Sequence, residues 1–132
     1  MFVYGTLKPG EANFQEYCAS HVEKVIPAIA QGCLYHLPLG YPAMILGEGW
    51  ISGFLLHFPN TKILESLDEL EGYQPGRPPN ENEYQRRELL IFNPNRRPLG
   101  LAWGYLMDPN LVQRLKGTFL PNGQWFGKST DF

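Results

Sequence analysis

The 132-residue chain balances 11 lysines and arginines against 13 acids, for a formal net charge of -2, and is 43% hydrophobic and 18% charged. That balance gives no clustered positive charge of the kind nucleic-acid binding needs, and a chain of this length buries roughly two thirds of its unfolded surface without help from a disulfide or a metal. The expectation is one domain over residues 1–132 that meets small molecules, with no nucleic acid and no membrane as partner.

Met1-Phe2-Val3-Tyr4 is a short β-prone run, with neither the basic region nor the apolar stretch of a signal peptide, and no segment approaches ~18 apolar residues. A cytoplasmic protein is expected. Gly5, Pro9 and Gly10 break the run, so Tyr4 to Gly10 reads as a strand leaving into a tight loop. From Asn13 as N-cap, Phe14, Tyr17, Cys18 and Val22 recur at helical spacing. Val25 to Tyr35 suits a strand, whereas Leu37 to Ala43, with Pro38, Gly40 and Pro42, predicts an irregular loop. Trp50 to Phe58 is a further strand, in which Gly53 signals a bulge or a close backbone approach.

Asn60 is a plausible N-cap for a helix ending at Gly72. Gln74 to Glu83 is polar and rich in Pro, Gly and Asn, which predicts an exposed, mobile loop. Strands follow over Tyr84 to Phe92 and Leu99 to Met107, then a turn of helix capped by Asp108 or Asn110 and running to Leu115. The tail keeps Phe119, Trp125 and Phe126 to pack with. Gly 14 and Pro 12 in the composition favour frequent turns and few long helices.

The Asn60 to Gly72 helix carries an anomaly. At ~100° per residue, Ile63, Leu64, Leu67 and Leu70 form one arc, with Glu65, Asp68 and Glu69 outside it as solvated charges. Glu71, four residues after Leu67 and seven after Leu64, falls inside the arc. Burying a carboxylate raises its pKa above about 4.3, into the range where a general acid/base works best. On position alone, the plainer alternative is that Glu71 bends out to water or pairs with an arginine such as Arg86.

Tyr4-Gly5-Thr6-Leu7-Lys8 is the second candidate. A glycine directly after a strand lets backbone N–H groups converge on a carboxylate or an oxyanion, and Thr6 adds a hydroxyl. Strand-glycine turns are common, so the pattern needs company to mean more. Neither a phosphate loop nor a nucleophile elbow is present. Cys18 and Cys33 lack metal or redox spacing and read as core thiols; His21, His36 and His57 are scattered. The sequence therefore calls for no metal and no cofactor, and nothing in it specifies an oligomeric state.

Together these segments resemble the γ-glutamyl cyclotransferase-like family, which includes γ-glutamylamine cyclotransferase and the plant avirulence-induced proteins. Phe2-Val3-Tyr4-Gly5-Thr6-Leu7-Lys8 is similar to the family's opening strand and substrate loop. Gly32-Cys33-Leu34-Tyr35 and Gly40-Tyr41-Pro42-Ala43 are similar to its central strand and loop. Leu67-Asp68-Glu69-Leu70-Glu71-Gly72-Tyr73 resembles the helix bearing its catalytic glutamate, and Tyr84-Gln85-Arg86-Arg87 its tyrosine- and arginine-bearing strand. The ten-residue spacer from Gln74 to Glu83 and Gln124 in a Gly-Asp-Trp-like ending depart from the pattern.

The resemblance implies an α+β fold, a small mixed β-barrel flanked by short helices. It also implies conversion of a γ-glutamyl amine or peptide to 5-oxoproline and free amine, without a cofactor. In that scheme Glu71 is the acid/base, Tyr4, Gly5, Thr6 and Leu7 hold the substrate, and Tyr84 helps to position it. The alternative on the same fold is a non-catalytic module that binds a small carboxylate metabolite.

Overall fold

The computed structural model describes residues 1–127, so the last five residues of the expected 1–132 domain lie outside the described residues. In chain order the elements are β1 (Phe2–Val3), α1 (Phe14–Tyr17), β2 (Lys24–His36), β3 (Pro42–His57) and α2 (Ile63–Leu70). Then come β4 (Gln85–Phe92), β5 (Pro98–Leu106), α3 (Pro109–Arg114) and β6 (Thr118–Phe119). None of these helices is long and apolar enough to cross a membrane.

The strands form one sheet in the order β1-β3-β2-β4-β5, with β6 paired to β2, and every pairing is antiparallel. The expected mixed barrel is therefore corrected to an open antiparallel sheet. Its two ends do approach, since a Cβ on Gly104 of β5 would lie 3.7 Å from the carbonyl oxygen of Phe2. No ladder joins them, because β1 is only two residues long and the chain turns away at Gly5. That early departure leaves the first loop free to face a cavity.

Alternation along the strands builds two apolar layers, as period-2 side-chain placement requires. Phe2, Met44, Ile51, Leu55 and Ile91 fill the curled face. Val3, Ala43, Leu56 and Tyr105 turn the other way, onto Leu67 of α2 and Val112 of α3. Gly53, opposite Ala28 in unbroken register, lets β1 come close: a Cβ there would sit 2.2 Å from the Val3 carbonyl. Close approach, not a bulge, explains that glycine. The register break lies between Gln31 and Cys33, where a Cβ on Gly32 would meet the Ile45 carbonyl at 2.7 Å.

Several local expectations change. The helix expected from Asn13 to Val22 is a single turn, and the Asn13 side chain does not cap it but reaches Thr6. The loop expected over Leu37 to Ala43 closes at Tyr41, since Pro42 and Ala43 already belong to β3. Helix α2 begins after Lys62, although Asn60 Oδ1 accepts the Lys62 N–H at 2.9 Å. The segment from Gln74 to Glu83 is mostly exposed, as expected, and carries internal side-chain bonds that its composition does not announce. Buried Asn82 accepts the Gln74 N–H and the Arg77 Nε–H through Oδ1, at 3.0 and 2.7 Å. Cys18 is fully buried and Cys33 only half-buried; Trp125 is buried, but Phe126 is exposed.

Candidate active site

The first loop is shaped by its own backbone. The Lys8 N–H closes a turn onto the Gly5 carbonyl at 3.0 Å, and the Asn13 N–H bonds the Thr6 carbonyl at 2.8 Å. Asn13 Nδ2 donates to Thr6 Oγ1 at 3.0 Å, so the threonine hydroxyl keeps its own proton for a ligand. Among the described residues, no acceptor is paired with the N–H groups of Gly5, Thr6 and Leu7. All three residues line one cavity of about 260 Å³. Buried N–H groups are rarely left without a partner, so this run suits a bound anion or oxyanion. Glycine is required at position 5 because a Cβ would meet Pro42 Cγ at 2.6 Å.

Glu71 reaches the same cavity from the end of α2. The helix stops in a glycine C-cap: Gly72 takes φ +65°, Tyr73 N–H bonds the Asp68 carbonyl at 2.9 Å, and Gly72 N–H bonds that of Glu69 at 3.3 Å. This six-to-one, five-to-two closure is the Schellman geometry that only glycine forms without strain. It leaves Glu71 as the capping residue, with helical direction kept and its side chain on the apolar stripe. As a residue Glu71 stays partly accessible because it lines the cavity, yet its carboxyl is enclosed by protein. Burial, and secondarily the charge of Glu83, push its pKa up to about 7. The alternative pairing with Arg86 does not occur. The Arg86 guanidinium contacts Asp68 at 3.2 Å instead and lies over the rings of Trp103 and Tyr73.

Tyrosines frame the wall between loop and acid. Tyr4 Oη donates to the Tyr105 carbonyl at 2.6 Å and accepts the Met44 N–H at 3.3 Å. Tyr105 Oη donates to Asp68 Oδ1 at 2.7 Å. Tyr84 Oη donates to the Pro42 carbonyl at 2.6 Å, and Pro42 packs on Gly5. Burial holds all three phenols above the usual tyrosine range, with the Glu71 charge adding to each. They stay protonated donors and are not bases. At the mouth, Tyr41 Oη lies 3.3 Å from each Glu83 oxygen.

Every residue singled out from the sequence, Tyr4, Gly5, Thr6, Leu7, Glu71 and Tyr84, lines this one cavity. Sequence reasoning missed Asn13 as the Thr6 partner, Tyr41 and Glu83 at the mouth, and Asp68 behind Tyr105. None of His21, His36, His57, Cys18 and Cys33 lines it. Among the described residues, no group of three His, Cys, Asp or Glu side chains is placed to hold a metal ion. The Gln124 departure concerns another cavity, beside Lys8 and Phe126.

Fold and cavity together define a small α+β protein in which a buried acid and a donor-lined loop share one pocket. The chain belongs to the gamma-glutamyl cyclotransferase, AIG2-like family, whose model matches residues 1–127. A Halalkalibacterium halodurans protein that carries the provisional name gamma-glutamylcyclotransferase is 38% identical over 96 residues, covering 71% of this chain and 78% of that protein. The crystal structure of an AIG2-like protein from Mus musculus superimposes with a TM-score of 0.63 at 17% identity, over 100% of this chain and 97% of that one. YkqA from Bacillus subtilis gives 0.64 at 21% identity over 95% of this chain, which spans 38% of YkqA. The two structures support the fold; the family and the Halalkalibacterium halodurans relative support a cyclotransferase function in general.

Proposed function

We propose that the protein is a cyclotransferase that converts a γ-glutamyl amine or γ-glutamyl peptide to 5-oxoproline and free amine. The observation that carries this reading is Glu71, an acid with no cationic partner, poised near neutrality across the cavity from unpaired N–H groups. In the proposed reaction the ionised Glu71 takes a proton from the substrate α-ammonium. The freed amine attacks the γ-carbonyl, forming the ring N–C bond while the carbonyl pair moves to oxygen. N–H groups of Gly5 to Leu7 steady that oxyanion or the α-carboxylate, with the Thr6 hydroxyl as a further donor. As the oxyanion collapses and the amide C–N bond breaks, Glu71 gives its proton to the departing nitrogen, and the regenerated carboxylate takes the second proton from the ring nitrogen, which the attack had left cationic.

Because nucleophile and electrophile belong to one molecule, the protein has only to fold the substrate, shuttle protons from the attacking to the departing nitrogen and stabilise one oxyanion. Tyr84 acts in this reading as a positioning residue: its hydroxyl is committed to Pro42, and it sets the wall against which Gly5 rests. The base form of Glu71 must be present for attack, so kcat/KM rises as pH climbs through about 7.

The test is 5-oxoproline release from a panel of γ-glutamyl amides and dipeptides. Wild-type protein should turn over at least one of them, and Glu71→Gln should lose roughly 10³-fold in kcat. Binding without product would favour the non-catalytic module, and full activity in the Gln variant would overturn the role of Glu71.

A further inference from the structure

The charge pattern of the cavity points to the leaving amine. Its lining contains two carboxylates, Glu71 and Glu83, and no lysine, arginine or histidine. A γ-glutamyl group brings one ammonium and one carboxylate of its own. In the reading above these are met by Glu71 and by neutral donors on the first loop, which leaves Glu83 without a charge to answer. Glu83 lines the cavity and is itself exposed, which puts it where the cavity meets solvent.

Its position is fixed by its neighbours. The Glu83 N–H donates to the Gly72 carbonyl at 3.1 Å, tying it to the residue after Glu71, and Asn82 before it is buried and bonded across the spacer. The Tyr41 hydroxyl reaches both carboxylate oxygens at 3.3 Å, which orients the group without neutralising it. A charge presented on fixed backbone selects partners by sign more than it adds affinity.

We infer that Glu83 is a specificity-determining residue that favours γ-glutamyl amides whose leaving amine carries a second, terminal ammonium, and disfavours those ending in a carboxylate. This deepens the cyclotransferase reading and rests on it. An exposed charge of this kind attracts one end group and repels the other only weakly, so the ammonium-ended substrate should exceed the carboxylate-ended one by about tenfold in kcat/KM at low salt.

The experiment uses the γ-glutamyl conjugates of cadaverine, n-hexylamine and 5-aminopentanoate, which differ mainly at the far end of the leaving group. For the wild-type protein kcat/KM should fall in that order, and the spread should shrink in 1 M salt. In Glu83→Gln the ratio of the first to the third should collapse towards one. Turnover of the n-hexylamine conjugate with no ranking by charge, or a ranking that survives in Glu83→Gln, overturns this inference and leaves the cyclotransferase reading standing. No 5-oxoproline from any of the three, nor from γ-glutamyl dipeptides, overturns both.

Discussion

Helix α2 offers two acids three residues apart, and their fates differ. Asp68 is 8% exposed, yet it receives the Tyr105 hydroxyl at 2.7 Å and faces the Arg86 guanidinium at 3.2 Å. Glu71, at the helix cap, has neither partner and opens on the cavity. Burial alone therefore does not make a working acid. A buried carboxylate that faces a cation and accepts a hydroxyl is tied into the fold, whereas burial without such partners raises the pKa of Glu71.

The contrast can be broken at several points, with effects that fall in sequence. Glu71→Gln should cost the most, roughly 10³-fold or about 4 kcal/mol of transition-state stabilisation, with KM changing far less than kcat. Asp68→Ala should instead act on the fold: it strips Arg86 and Tyr105 of their partner and lowers unfolding free energy by about 3 kcal/mol in urea titrations.

A smaller effect, of opposite sign, belongs to Glu71 and depends on pH. The folded-state pKa of Glu71 lies above its ordinary value, so its contribution to stability is fully present below about 4.5 and is lost as pH rises to about 7. Glu71→Gln lacks that loss. It should match the wild type near pH 4.5 and exceed it by about 2 kcal/mol at pH 8, as read by thermal or urea unfolding. Tyr84→Phe removes the bond to the Pro42 carbonyl and should lower stability by about 1 kcal/mol, with a modest rise in KM as the Gly5 wall loosens. Smallest of all, Glu83→Gln withdraws the second cause of the raised Glu71 pKa, and the rising limb of kcat/KM should move to lower pH by roughly half a unit.

Much of this site is legible in the chain because it lies in local patterns. The glycine after a strand, the glutamate on an apolar stripe and the glycine that ends the helix all depend on neighbours within a few residues. Asp68 shows where such reading stops. At ~100° per residue it lies only about 40° beyond Leu64, at the margin of the arc, and whether that margin meets water or protein depends on β4 and β5. Those strands bring Arg86 and Tyr105 to it, and nothing local announces them.

The same holds for the spacer from Gln74 to Glu83. Its composition reads as a loose loop, but buried Asn82 satisfies the backbone of Gln74 and the side chain of Arg77, and so delivers Glu83 to the mouth. Barrel closure was also beyond the pattern. Five of the six strands are readable from β-prone runs and turn signals, the two-residue β6 is not, and the missing β1–β5 ladder follows from how soon the chain bends away at Gly5.

The most direct measurement is an NMR titration of the Glu71 side-chain carboxyl carbon, assigned by its absence in Glu71→Gln. The account predicts a midpoint of about 7, well apart from the exposed glutamates. A midpoint at the ordinary 4.5 would contradict it, because so weak a base would draw the proton from the substrate ammonium far less readily than the buried carboxylate described here.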